Sequence, residues 1–480
     1  MRWIALLLAG LAACGGDPAE ARVQIVLAVP EQDARGALLA DLDAIEVQVS
    51  DGQDVRASRL YPLADGLPSE LSLTDVPAGD SILFHLIGTS VGAEVAYGRT
   101  CRLTISEDGE PIEALLYFSR VGTFRDAAEP AVAARTDGVM FADDQGRALV
   151  AGGADATLVE LFDPRVGEFA GAGEAAARRA GAVAVRADGT AVIAGGVDAA
   201  GAPVGRVEEI LPRQSDSVRQ LGPSEQAAAR RSGLALAALP DRSVILSGGR
   251  DPDGAIRAEL ALLAAGDDQF RPAATLALPR AGHTASLALG GVVYLIGGLT
   301  TSELGAEVPT GSIELYRPQD QSVRPVTAAL AVPRAGHTAT VLADGRILVV
   351  GGLGGGGETC GEDPCLAPVA EVEVFDPILG ETRVVDEVEG GIHQHAATLI
   401  AGGRVLISGG RDAAGAVRSG ALLFDPDVEG LVPTRPLTHP RAQHRATELC
   451  DGTVLVVGGT GDDGEPAPSE RYNPASRAQP

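Results

Sequence analysis

Six arginines recur at one repeat position: Arg135, Arg179, Arg231, Arg280, Arg334 and Arg441, with Ile392 in the remaining place. Each stands at the start of a short strand. A ring of guanidiniums at the mouth of a channel could grip a carboxylate or an acidic sugar through paired N–H donors. The same recurrence also suits a structural role. Each arginine would then pair with a glutamate two strands later, at Glu160, Glu209, Glu314, Glu373 or Glu470, because a repeated element copies its own internal pairing. Both readings stand at this stage, and the six arginines are the ligand-binding candidates.

Four histidines, His283, His337, His395 and His444, lie three residues after an arginine position, which fits hydrogen bonds between neighbouring repeats. His393 and His395 are two apart, so on a strand they share a face. A metal there would need a third ligand, such as His444 or His439, and no metal site is assigned. Gly88-Thr-Ser90-Val-Gly92 has the spacing of a nucleophile elbow but precedes a strand instead of a helix, so no catalytic residue is assigned. Asp251 to Gly254, Asp198 to Gly201 and Asp412 to Gly415 read as turns, without the length of a calcium loop.

Five cysteines are present. Cys360 and Cys365 flank a Gly-Glu-Asp-Pro turn and are the disulfide candidate; Cys101 and Cys450 fall on predicted strands with no readable partner.

The elements that must carry these residues are set by seven Gly-Gly pairs. They begin at Gly152, Gly195, Gly248, Gly297, Gly351, Gly409 and Gly458, with steps of 43, 53, 49, 54, 58 and 49 residues. A period near 50 with one small sheet per repeat predicts a β-propeller. Within one unit, Asp344-Gly345 makes a tight hairpin, Ile347 to Val350 is a strand stopped by Gly351-Gly352, and Val372 to Asp376 is the third strand, ended by Pro377. The third-strand ending returns at Asp163-Pro164, Arg317-Pro318, Asp425-Pro426 and Asn473-Pro474. These residues resemble kelch repeats, which carry a double glycine after the second strand and an aromatic residue with a nearby glutamate in the third. The tryptophan that kelch repeats place on the outer strand is missing. The resemblance covers residues 119–480 and implies a seven-bladed ring.

The last unit runs out without a fourth strand, and Val121 to Arg125 resembles a spare one. The ring is therefore expected to close through an N-terminal strand, leaving no exposed sheet edge. Residues 22–118 show no repeat and read as half a dozen strands, a β-sandwich that lends no strand to the ring.

Residues 1–13 hold Arg2 and a short apolar run, and Leu11-Ala-Ala-Cys14 follows. This resembles a bacterial lipoprotein signal, which implies a diacylated Cys14, a tether over 14–21 and a place at the cell envelope, on the outer membrane. The net charge of −27 disfavours nucleic acid as a partner. Every basic residue is arginine, so lysine Schiff-base chemistry is excluded.

The function expected is non-enzymatic recognition or scaffolding of a protein or glycan, with no cofactor. The alternative is a carbohydrate-active enzyme acting on acidic sugars, since kelch propellers include sialic-acid mutarotases and copper-radical oxidases. The latter resemblance would require a cysteine-linked tyrosine, a second tyrosine and two histidines.

Overall fold

The computed structural model describes residues 2–11, 23–35, 38–52, 54–64, 70–74, 76–106, 112–132, 135–153, 156–213, 217–360 and 363–475. Nearly all regular structure is β.

Residues after 122 build seven four-stranded antiparallel sheets, here called units one to seven. Unit five is typical. Its strands Thr338–Val341, Ile347–Val350, Glu371–Asp376 and Glu381–Glu387 lie in sequence order from inside to outside. The second strand, a run of β-branched and leucine residues, is buried at every position, as a strand covered on both faces must be. The inner strand of each unit lies against that of the next, and Arg445–Glu448 of unit seven returns to Val139–Ala142 of unit one.

Unit seven holds only three consecutive strands. Its outer strand is Thr123–Asp126, which pairs with Glu470–Asn473 so that Phe124 faces Tyr472, their rings 4.8 Å apart. The expected closing strand is therefore in place.

The double glycines bind unit to unit. The second glycine of each pair donates its N–H to the carbonyl of the residue at the next unit's arginine position, over 2.8 to 3.5 Å at all seven junctions. The last of these bonds runs from Gly459 back to Arg135. A side chain at the first glycine has no room: a Cβ on Gly351 would sit 2.3 Å from the Ile392 carbonyl and 2.7 Å from the His395 ring. Gly351 also holds φ +60°, where a Cβ is strained.

The first part of the chain forms two sheets over one core. Val23, Ile25, Leu27, Ala114 and Leu116 come from one sheet; Ile45, Val47, Val49, Phe84 and Leu86 come from the other. Alternate residues point inward, the period-two pattern of a half-covered strand. Arg2–Leu11, set apart above as a signal segment, lies as a strand between Val23–Val29 and Glu70–Thr74. Cys14 lies outside the described residues. Ser90 ends a strand that turns at Val91 and Gly92 directly into Ala93–Arg99. It sits on a hairpin, with no helix after it to form a nucleophile elbow.

Candidate functional site

The arginines do not line the channel. Arg135, Arg280, Arg334 and Arg441 are fully buried. Arg334 bonds Glu373 at 2.6 Å, Arg280 bonds Glu314 at 2.7 Å and Arg441 bonds Glu470 at 2.6 Å, while Arg135 pairs with Glu160. In each case the other guanidinium nitrogen reaches the carbonyl of the unit's first glycine, 17 residues on. The glutamate also caps the segment before the arginine: Glu373 accepts from the N–H groups of Ala331 and Val332 at 2.7 and 3.2 Å. The carboxylate and both terminal guanidinium nitrogens of each pair are hydrogen-bonded, which is what makes burial of two charges tolerable; the Nε of Arg135 and of Arg280 finds no partner among the described residues.

Two positions shift from the sequence reading. In unit two the buried member is Arg178, not Arg179, and it pairs with Glu208, not Glu209. Arg179 is half-buried, and its backbone bridges to Val197. Unit three is looser: Arg231 lies 3.5 Å from Glu259, which is 45% exposed. Among the described residues unit six has no such pair, with Ile392 and Leu422 in the two places.

The histidines stitch neighbouring units. Nε2 of His283 meets Ser247 at 2.8 Å, His337 meets Thr284 at 3.1 Å, His395 meets Thr338 at 2.9 Å and His444 meets Ser408 at 3.1 Å. All four are buried, and burial holds them neutral: His337 is lowered to about 3 and His395 to about 4, with Arg334 and His393 respectively adding to the effect. His393 is half-buried at the mouth, and burial followed by Arg411 lowers its pKa. Among the described residues no group of three His, Cys, Asp or Glu side chains is placed to hold a metal.

What surrounds the channel was not read from the sequence. The second residue after each arginine position takes a left-handed backbone: Asp137, Ala180, Gly233, Gly282, Gly336, Gln394 and Gln443, with φ from 50° to 65°. Five of the seven junctions between them carry an N–H to carbonyl bond of 2.7 to 2.9 Å, so the mouth is rimmed by a belt of main chain. Units three to five place glycine there. Unit two places Ala180 there, and units six, seven and one place Gln394, Gln443 and Asp137; a left-handed backbone disfavours Ala and Gln by about 1–2 kcal/mol each and is better tolerated by Asp.

The mouth is thus open on one side and polar on the other. Gln443 donates to Asp137 at 2.5 Å, and the Arg445 guanidinium lies 3.4 Å from the same carboxylate. Gln394 is exposed, while Asp137, Gln443, Arg445 and His393 are half-buried. An opening of about 610 Å³ is lined by Asp137, His393, Gln394 and Arg445, with Gln443 bonded to Asp137, and is bounded across the channel by Gly282, Gly336 and Leu353. That size suits a small ligand or a few residues of a peptide. Its polar side offers amides, one carboxylate and one cation, a set that hydrogen-bonds hydroxyls and carboxylates.

The two long loops above this face are ordered as hairpins, Leu299–Thr301 with Glu307–Pro309 and Leu353–Cys360 with Asp363–Pro368. Glu307 pairs with Arg250 of unit three at 2.6 Å. The Cys360 and Cys365 side chains lie outside the described ones. The described disulfide joins Cys101 to Cys450. A partly buried Ser50–His85–Tyr97 chain, with both links at 2.8 Å, crosses three strands of the first part and spends the Ser50 hydroxyl internally.

Fold and site together define an all-β, propeller-like protein with a polar, one-sided channel mouth. No family profile matches the chain, and no curated protein matches its sequence. Among solved structures, a novel fungal alcohol oxidase with catalytic diversity among the AA5 family, in complex with copper, aligns over 73% of this chain and 76% of its own, with TM-score 0.56 and 13% identity. The structure of YjhT aligns over 63% of this chain and 96% of its own, with TM-score 0.49 and 12% identity. The first likeness is one of fold. The tyrosine ligands a copper-radical centre would need are not assembled here: Tyr316 and Tyr472 are buried, and Tyr294 packs on Phe375.

Proposed function

We propose that this chain is a lipid-anchored recognition protein of the cell envelope. In this reading a signal over 1–13 is removed, Cys14 carries the lipid at the outer membrane, a β-sandwich over 22–118 acts as a stand, and a seven-bladed kelch-type propeller binds the ligand. The ligand is a hydroxyl- and carboxylate-bearing segment of a glycan or protein, held at the channel mouth. The observation that carries this is the departure from the repeat: Asp137, Gln394 and Gln443 take strained backbone positions that glycine fills across the channel. Strain of this kind gathers at binding sites. The arginines enter only as the frame.

A screen of neutral and acidic glycans and acidic peptides against the chain beginning at Cys14 tests the proposal. Binding that is lost on Arg445→Ala and Gln443→Ala supports it; binding indifferent to both overturns it.

One observation favours the enzyme alternative. Asp137 and His393, two titratable groups, line the same opening, and burial together with Arg411 lowers the His393 pKa. Such a pair could move protons on an acidic sugar. Turnover of any screened sugar, abolished by His393→Gln, would replace the non-enzymatic reading.

A further inference from the structure

Unit six breaks the repeat at its most regular feature, and a pocket of about 360 Å³ opens where the break lies. Ile392 stands for the arginine and Leu422 for the glutamate. Ile392, Ile407, Leu422 and Leu431 supply the apolar wall.

The backbone frame that elsewhere receives an arginine is nonetheless kept. Gly409 follows Ile392 by 17 residues, as Gly351 follows Arg334. In unit four the Ser312 carbonyl accepts both the Gly297 N–H, at 3.1 Å, and Arg280, also at 3.1 Å. Its counterpart Gly420 lines the pocket and takes the Gly409 N–H at 3.0 Å, but among the described residues no guanidinium reaches it. The rim is acidic, with Asp386, Glu387 and Glu389. Glu387 and Glu389 are exposed, whereas Asp386 is already engaged by the Leu431 N–H at 2.6 Å. The one cation at the rim, Arg418, turns its guanidinium to the carbonyls of Glu389 and Gly391, at 2.8 and 3.2 Å.

We propose that this pocket is a docking site for an arginine side chain presented by a partner protein. The alkyl stem would lie along Ile392 and Leu422 and exclude water from them. The guanidinium would take the free acceptor capacity of the Gly420 carbonyl and the charge of Glu387 and Glu389. The incoming residue thus restores from outside what six other units build from within. Unlike the channel mouth, this site lies between the outer strands of units five and six.

The test uses the full chain and a five-residue peptide, Ala-Ala-Arg-Ala-Ala, blocked at both ends, beside the same peptide with neutral citrulline for arginine. Binding of the arginine peptide is expected to be at least about tenfold tighter than that of the citrulline peptide and to weaken with salt. The double variant Ile392→Arg with Leu422→Glu fills the pocket with the chain's own pair and is expected to remove binding while melting at or above the wild-type temperature. Glu387→Gln with Glu389→Gln, both on the surface, is expected to weaken binding about tenfold without moving the melt. Equal binding of the two peptides, binding that survives pocket filling in a folded protein, or no binding at millimolar peptide would each overturn the proposal.

Discussion

Cys101 and Cys450 are joined by a disulfide that ties the first part of the chain to unit seven across 349 residues, with Cα atoms 4.9 Å apart. The bond sits within a buried contact. Asn473 donates to the carbonyls of Tyr97 and Ser119 at 2.8 and 2.9 Å, and the Arg471 guanidinium stacks 3.9 Å above the Tyr117 ring. Asp33 reaches Arg125 of the closing strand at 2.7 Å. The first part gives the ring no strand, yet it is bolted to the unit where the ring closes.

Removing that bond frees the unfolded chain, so Cys450→Ser should cost about 2–5 kcal/mol. The expected result is a lower melting temperature for the variant and for reduced wild type alike. Identical melts of oxidised and reduced protein would show that the buried contact alone holds the junction.

The Arg–Glu pairs should differ sharply in their sensitivity. Glu373→Ala leaves Arg334 buried without its counter-charge and should cost about 3–5 kcal/mol. Glu259→Ala removes a half-exposed partner of Arg231 and should cost about 1 kcal/mol or less. Denaturant midpoints of the two variants check the contrast, and equal losses would contradict it.

How far the sequence went follows from what repeats. The double glycines were legible because backbone crowding forces glycine at every junction, and Phe124 was legible because a closing strand must resemble those it replaces. Arg178 and Arg179 are adjacent, and the constant step of 17 residues from the buried arginine to the first glycine of each pair singles out Arg178, which precedes Gly195 by 17, over Arg179. The Cys101–Cys450 pairing has no local signal in the sequence, because 349 residues separate the two. The mouth was hidden for a different reason. Asp137, Gln394 and Gln443 share their position with Gly233, Gly282 and Gly336, and a position that is glycine in three units and polar in three marks a left-handed backbone.

The buried histidines predict acid sensitivity. Above about pH 6.5 neither the folded nor the unfolded chain protonates them, and nothing is lost. Between about 6.5 and the lowered folded values, about 3 for His337 and about 4 for His395, only the unfolded chain binds the proton. Stability therefore falls as pH falls, by about 1.4 kcal/mol per pH unit for each ring. Melting temperatures from pH 7 to 5 should drop steadily, and less steeply in His395→Asn. A flat profile would mean the rings are charged or solvated in the folded chain.

The proposed anchor predicts that Cys14→Ser releases the protein from membranes or leaves its precursor uncut. Processing also takes away Arg2–Leu11, the strand beside Val23–Val29. A chain beginning at Cys14 should still melt cooperatively, with the ring untouched. Membrane attachment of fully processed Cys14→Ser protein would overturn the anchor.

The channel mouth allows a test that separates function from stability. Gln394 is exposed and holds φ 56°, a backbone that a Cβ disfavours by about 1–2 kcal/mol. Replacing it by glycine relieves that strain and frees the unfolded chain, two effects of opposite sign and similar size. Gln394→Gly should therefore melt close to wild type or slightly above it. If the side chain is there to hold ligand, the same change should weaken binding about five- to tenfold, the worth of one hydrogen bond at about 1–1.5 kcal/mol. Gly336→Gln is the converse, placing on the open side the residue found opposite: a Cβ there meets nothing within 4 Å, so by the same balance the fold should melt close to wild type while the mouth is crowded. Unchanged affinity in Gln394→Gly, measured beside an unchanged melt, would remove Gln394 from the site and leave Asp137, Gln443 and Arg445 to carry it.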